Sequence, residues 1–243
     1  MVTKSQVKYI QSLGHKKFRD QEGMFVAEGP KIVEELLLAS NMRVQQVYAV
    51  KGWSPPASFS GKQLMEVSES ELGRISSLST PNQVLGIFKK PSFSPPVFNK
   101  TLSLVLDGIQ DPGNLGTIVR IADWFGIPRI LCSPDCADVY NAKAMQSTMG
   151  SISRIPVIYG DPEAVIRQCP DLPVYAAVLE GKSLYETGRV GEGLIVIGNE
   201  SRGIGPGLLE LTTHRITIPR RGRAESLNAA VATGVILSHM ASG

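Results

Sequence analysis

The sequence predicts an α/β protein in two parts, a small mixed domain followed by a larger one built on a parallel sheet covered by helices. Three observations support this. A stretch rich in proline and small polar residues, Lys89 to Lys100, divides the 243-residue chain. Beyond it, short strands that are apolar throughout alternate with helix-length segments, as strands buried on both faces do. Three of those strands run into loops dense in Gly, Asn, Pro and Arg, and open α/β sheets bind their ligands beyond the carboxyl ends of the strands.

Before the division, a short helix is expected over Gln6–Leu13 and a strand over Met24–Glu28. Pro30 suits a first helical position and opens a helix through Ala39. Val44–Val50 reads as a strand, Glu69–Ser77 as a helix and Gln83–Phe88 as a strand, with a Pro/Ser-rich loop over Trp53–Gly61. Pro91, Pro95 and Pro96 make residues 91–100 an extended linker between residues 1–90 and 101–243. After it come strands at Leu102–Leu106, Arg129–Cys132, Ile155–Ile158, Val174–Val178, Leu194–Ile197 and Arg215–Ile218. Helices are expected over Leu115–Phe125, Asn141–Met149, Pro162–Gln168 and Leu227–Met240.

Composition removes several function classes. No apolar run approaches the roughly 18 residues of a membrane span. The opening Met1–Lys8 lacks the apolar stretch of a signal peptide, so a cytoplasmic location is expected. Cys132, Cys136 and Cys169 are too scattered for a disulfide framework, and no second Cys/His pair completes a zinc set, so no metal is expected. The net charge of +3 is uneven. Residues 1–100 hold 13 Lys and Arg against 8 Asp and Glu, whereas the remainder holds 12 against 14. The basic excess, densest around Lys16, Lys17 and Arg19, suits a polyanion such as RNA as well as it suits a plain solvated surface.

The first loop runs from Asp107 through Pro112-Gly113-Asn114 to Arg120. Pro-Gly makes a tight turn and Asn114 suits a helix cap. Arg120 lies off the apolar stripe of Leu115, Ile118, Val119 and Ala122. The second, Ile197-Gly198-Asn199-Glu200-Ser201-Arg202-Gly203, is neither a phosphate loop nor a dinucleotide fingerprint. It offers amides and a carboxylate at a strand end. The absent fingerprint also argues against a nicotinamide-dependent dehydrogenase. The third, Ile218 to Ala232, carries Arg220, Arg221 and Arg223, whose guanidinium groups suit phosphates. Glu225 or Ser226 is expected to cap the last helix, with Asn228 in its first turn.

Together, and in this order, the loops resemble the three signature motifs of the SpoU (TrmH) family of RNA 2′-O-ribose methyltransferases, of the SPOUT superfamily. The resemblance spans roughly residues 102–240. Phe25-Val26-Ala27-Glu28-Gly29 and the helix after it resemble the substrate-binding domain of ribosomal RNA members. The resemblance implies a deep trefoil knot in the C-terminal domain, against the general rule, and a homodimer. It implies S-adenosylmethionine as cofactor, held by Gly198, Ile218 and Leu227, with Leu179, Glu180 and Gly181 lining the same pocket. It assigns the chemistry to Arg120, framed by Asn114, Glu200, Ser226 and Asn228. The expected substrate is RNA, a 23S ribosomal RNA first and a tRNA second, with Lys16, Lys17, Arg19, Arg220, Arg221 and Arg223 as RNA contacts. A non-catalytic RNA-binding module on the same fold is the alternative from another class.

Overall fold

The computed structural model describes residues 1–93, 98 and 100–241. Within the expected linker, residues 94–97 and 99 lie outside this description. The chain falls into two compact units, Met1–Ser92 with Tyr140–Ser153, and Phe93–Val139 with Arg154–Gly243. The helix expected over 141–149 forms, yet it groups with the first unit. That unit is thus assembled from two separated stretches.

The first unit begins with α1, Lys4–Ser12, whose start is fixed by a capping box between Thr3 and Gln6. A second helix, α2 (Lys16–Glu22), stops at Gly23, whose φ of 64° places it in the left-handed region. Then come β1 (Met24–Glu28), α3 (Pro30–Leu38), β2 (Arg43–Val50), β3 (Leu64–Val67), α4 (Glu69–Ile75) and β4 (Val84–Lys89). The sheet order is β1-β4-β2-β3, with β4 antiparallel to both neighbours and β3 parallel to β2. Ile10, Leu13, Tyr48, Leu72, Leu85 and Ile87 share one core cluster. Two elements were not expected. In α2 only Arg19 is buried, so no apolar period announces the helix. β3 is four residues at a sheet edge.

The second unit holds β5 (Leu102–Asp107), α5 (Pro112–Trp124), β6 (Ile130–Cys132), β7 (Val157–Tyr159), α7 (Pro162–Arg167), β8 (Val174–Ser183), β9 (Gly193–Gly198), α8 (Pro206–Glu210), β10 (His214–Thr217) and α9 (Ala229–Met240). The helix Ala142–Thr148 is α6 in chain order. All six strands pair in parallel, in the order β10-β8-β9-β5-β6-β7. The expected parallel sheet is therefore present. β5 and β9 lie at its centre, and Leu104, Val105, Leu106, Leu194, Ile195 and Val196 are all fully buried. Such side chains each contribute roughly 1.5–3 kcal/mol.

The helix starts differ from expectation in an instructive way. Asp111, not Asn114, caps α5, accepting from the Asn114 main-chain N at 2.9 Å, with Pro112 at the first helical position. Asn228 stands outside α9 as its cap, accepting from Ala230 N and Val231 N at 3.0 and 3.3 Å; neither Glu225 nor Ser226 takes that place. A residue poorly suited to a helix interior is well suited to the position just before it. β8 was expected to end at Val178 but continues to Ser183.

Candidate active site

Strand order in the second unit reverses between β5 and β9, the place where doubly wound sheets open a crevice. At their carboxyl ends Asp107 and Gly198 are register partners. The loops beyond are tied at once. Asp107 Oδ2 accepts from Gly205 N at 2.7 Å, and Asn199 Nδ2 donates to the Gly108 carbonyl at 2.7 Å. Asn199 Oδ1 accepts from Ser201 N and Arg202 N, while its main chain exchanges two hydrogen bonds with Gly203. The loop over residues 199–203 is thereby closed into a tight turn. Gly198 is required by space: a Cβ there would lie 2.4 Å from the Gly203 carbonyl carbon and 2.5 Å from Ile204 N.

A hydrogen-bonded chain then joins the three loops. Asn114 Nδ2 donates to Glu200 Oε1 at 2.6 Å, and Asn228 Nδ2 donates to Asn114 Oδ1 at 2.9 Å. Because Asp111 caps α5, the Asn114 side chain is released for this purpose. Asn228 does both tasks, its oxygen capping α9 and its nitrogen reaching the first loop. Three residues distant in sequence thus form one polar frame.

Beside this frame β8 arches. Residues Tyr175 and Ala176 pair with His214 and Arg215, then Lys182 and Ser183 pair with the next two residues of β10. Residues 177–181 therefore have no counterpart on β10 and bulge outward. Leu179 is 73% exposed within this arch, and its carbonyl accepts from Thr217 Oγ1 at 3.0 Å. At its foot Gly181 approaches the Arg215 backbone so closely that a Cβ would meet it at 2.8 Å. Ile218 is half-buried just past β10, and Leu227 is 47% exposed just before α9.

Arg120 is exposed on α5 and makes no hydrogen bond or ion pair among the described residues. Six residues beyond Asn114, it stands about 9 Å further along the helix axis and shares no hydrogen bond with the frame. Ser226 is exposed in the irregular stretch before α9, as are Arg220, Arg221 and Arg223; Arg220 Nη1 donates to the Ala224 carbonyl at 3.2 Å. In the first unit Lys16 and Lys17 are exposed, but Arg19 is not. It is 2% exposed and donates to the carbonyls of Leu13 and Gly14 at 2.8 Å, so its expected place among outward phosphate contacts is corrected. A guanidinium satisfies several orphan carbonyls at a helix end, which draws this charge inward.

Sequence reasoning missed a supporting layer under the first loop. Gly108 N donates to Ser133 Oγ at 2.8 Å and Ile109 N to Cys136 Sγ at 3.3 Å. The Ser133 hydroxyl and the Arg202 guanidinium hold the Asp135 carboxyl below its usual range. Burial pushes the Cys132 thiol up, whereas hydrogen bonding, from Cys132 first, brings Cys136 down to about 7. Asp107 and Asn199 did carry a signal: each is the first strongly polar residue beyond an apolar strand or its terminal glycine.

A parallel sheet reversing at β5 and β9, with three strand-end loops stitched together there, is the architecture of a SpoU methylase domain, and residues 101–238 match the model of the SpoU rRNA methylase family. The chain belongs to that family. Residues 4–86 match the MRM3-like substrate binding domain. More particularly, the chain is 30% identical over 237 residues to the 23S rRNA (guanosine(2553)-2′-O)-methyltransferase RlmP of Bacillus subtilis, covering 96% of this chain and 95% of that one. Among solved structures, a TrmH-family protein from Porphyromonas gingivalis superposes with a TM-score of 0.86 at 36% identity, covering 98% and 97% of the two chains. An AdoMet-bound rRNA methyltransferase from Sinorhizobium meliloti gives 0.83 at 30% identity, covering 98% and 94%.

Proposed function

We propose that the chain transfers a methyl group from S-adenosylmethionine to a ribose 2′-hydroxyl of 23S ribosomal RNA. The observation that carries the reading is the Glu200–Asn114–Asn228 chain, which brings the three strand-end loops to one place. Residues 1–90 bind the RNA, 91–100 connect, and 101–243 carry the chemistry. Relatives named for 23S rRNA and AdoMet-bound structures support substrate and cofactor.

The residues present fit the cofactor. An adenosyl group needs apolar faces beside backbone polar groups, and Leu179, Ile218 and Leu227 put aliphatic side chains next to strand ends that stay partly open to solvent. When bound, S-adenosylmethionine supplies a methyl already activated on a cationic sulfur. The chain's task is alignment and charge. Gly198 lets the turn over residues 199–203 close against β9, and Gly181 lets the arch of β8 close against β10. Asn114, Glu200 and Asn228 fix the polar wall against which the ribose is oriented. Ser226 donates to or accepts from the reacting hydroxyl. The Arg120 guanidinium offers donors and no acceptor, so it does not serve as the base. Its charge holds the adjacent phosphate and stabilises the oxygen as the hydroxyl proton passes to solvent water. Arg220, Arg221 and Arg223 pair with flanking phosphates.

With methyl-labelled S-adenosylmethionine and 23S rRNA, label is expected in alkali-resistant dinucleotides, because a 2′-O-methyl group removes the hydroxyl that cleaves the strand. Label recovered only in mononucleotides with methylated bases would contradict the reading. We propose also that two copies associate through the second unit. Its exposed Trp124, Tyr185 and Val231 support this. Light scattering is expected to give twice the chain mass; a monomer at micromolar concentration would remove the proposal.

A further inference from the structure

The first unit contains a cavity of about 150 Å³ that none of the chemistry above uses. A hollow of that size accommodates one small aromatic ring, as an engineered cavity of about 150 Å³ accommodates benzene. This one is not wholly apolar. Its walls include Ile10, Val26, Ile75 and Met145, while Arg19, Glu28 and Gln146 bring polar groups to the same space. Two of these are buried charges, Arg19 at 2% and Glu28 at 5% exposed. Each is anchored. Glu28 accepts from both the Ser76 and Ser77 hydroxyls and from Ser77 N, and Arg19 donates to two carbonyls. Gln146 is locked by donating to the Glu28 carbonyl at 2.8 Å. Tyr140 completes the lining, with Lys90 Nζ 5.0 Å from its ring centroid and Phe25 4.7 Å away.

Apolar walls with a few fixed, convergent donors and acceptors are the chemistry of a site for a flat heteroaromatic ring. Gly14 and Arg19 both line the cavity. The exposed Lys16 and Lys17 therefore lie in the first turn of α2, between two of the cavity's lining residues, where a phosphate backbone would pass. Sequence-selective proteins read RNA by taking unstacked bases into such pockets, with cations on the flanking backbone. We infer that this cavity captures one unstacked pyrimidine base of the RNA, its N–H edge toward Glu28. The inference rests on the reading of the first unit as RNA-binding.

The test uses the full chain, a labelled oligouridine, and an abasic ribose-phosphate strand of equal length and charge. Ala142 lines the cavity from an exposed position, so Ala142→Trp plugs the mouth without disturbing the core. A melting curve matching wild type checks that. The plugged variant is expected to bind oligouridine about tenfold more weakly while binding the abasic strand unchanged. Lys16→Glu with Lys17→Glu is expected to weaken both probes. Wild-type affinity of Ala142→Trp for oligouridine, with the lysine variant still impaired, overturns the base pocket alone. A wild-type chain that binds neither probe, or a lysine variant without effect, overturns the RNA-binding reading and the pocket with it.

Discussion

Replacing Gly198 by alanine is expected to abolish cofactor binding and to lower the melting temperature by several degrees. The added carbon would meet the Gly203 carbonyl carbon, the Gly203 oxygen and Ile204 N, all within 2.4–2.6 Å and all backbone. Flexible side chains yield to such contacts; a closed turn does not. This turn is held by two main-chain hydrogen bonds between Asn199 and Gly203 and by two that Asn199 Oδ1 accepts from Ser201 N and Arg202 N, while Asn199 Nδ2 ties it to the Gly108 carbonyl. Relief requires opening it, which also moves Glu200 away from Asn114. Overpacking of this kind costs about 1–3 kcal/mol and sometimes more, or roughly 2–4 °C per kcal/mol for a protein of this size. Gly198 is absent from the residues with positive φ, so crowding alone carries the expectation. A Gly198→Ala protein with wild-type melting and cofactor affinity would show that the turn gives way easily.

Arg120→Ala is expected to reduce methyl transfer by about a hundred- to a thousandfold, the usual loss when one group stabilising developing oxyanion charge is removed. Melting and cofactor affinity should hardly change, because the side chain is exposed and has no partner among the described residues. Arg120→Lys keeps the charge but loses the planar fork and should recover only part of the rate. Near wild-type turnover by Arg120→Ala, measured as label in alkali-resistant dinucleotides, would remove Arg120 from the reaction.

Much of this was legible in the sequence, for a definite reason. Strands buried on both faces are apolar throughout, so β5 and β9 announce a parallel sheet, and the polar loops that follow them announce the site. What stayed hidden depends on choices between equivalent polar residues. Asp111 and Asn114 both suit a helix cap, and only packing decides that Asp111 takes the role and Asn114 turns to Glu200. Asn228 looked misplaced within a helix because α9 starts two residues later than its apolar pattern suggests. Arg19 sits in a basic run that reads as surface, yet the carbonyls of Leu13 and Gly14 draw it inward. The arch of β8 has no signal of its own in the sequence, since it arises from a register jump against β10. Likewise nothing in Ala142–Thr148 tells that this helix groups with residues far before it.

The proposed function requires the loops after β5, β9 and β10 to hold the cofactor jointly, while Arg120 serves the RNA. Calorimetric titration with S-adenosylmethionine separates these two roles when run on wild type, Gly198→Ala and Arg120→Ala. Saturable heat is predicted for wild type and Arg120→Ala with similar affinity, and none for Gly198→Ala. No heat with the wild-type chain, or a cofactor affinity lost with Arg120 and kept without Gly198, would contradict it.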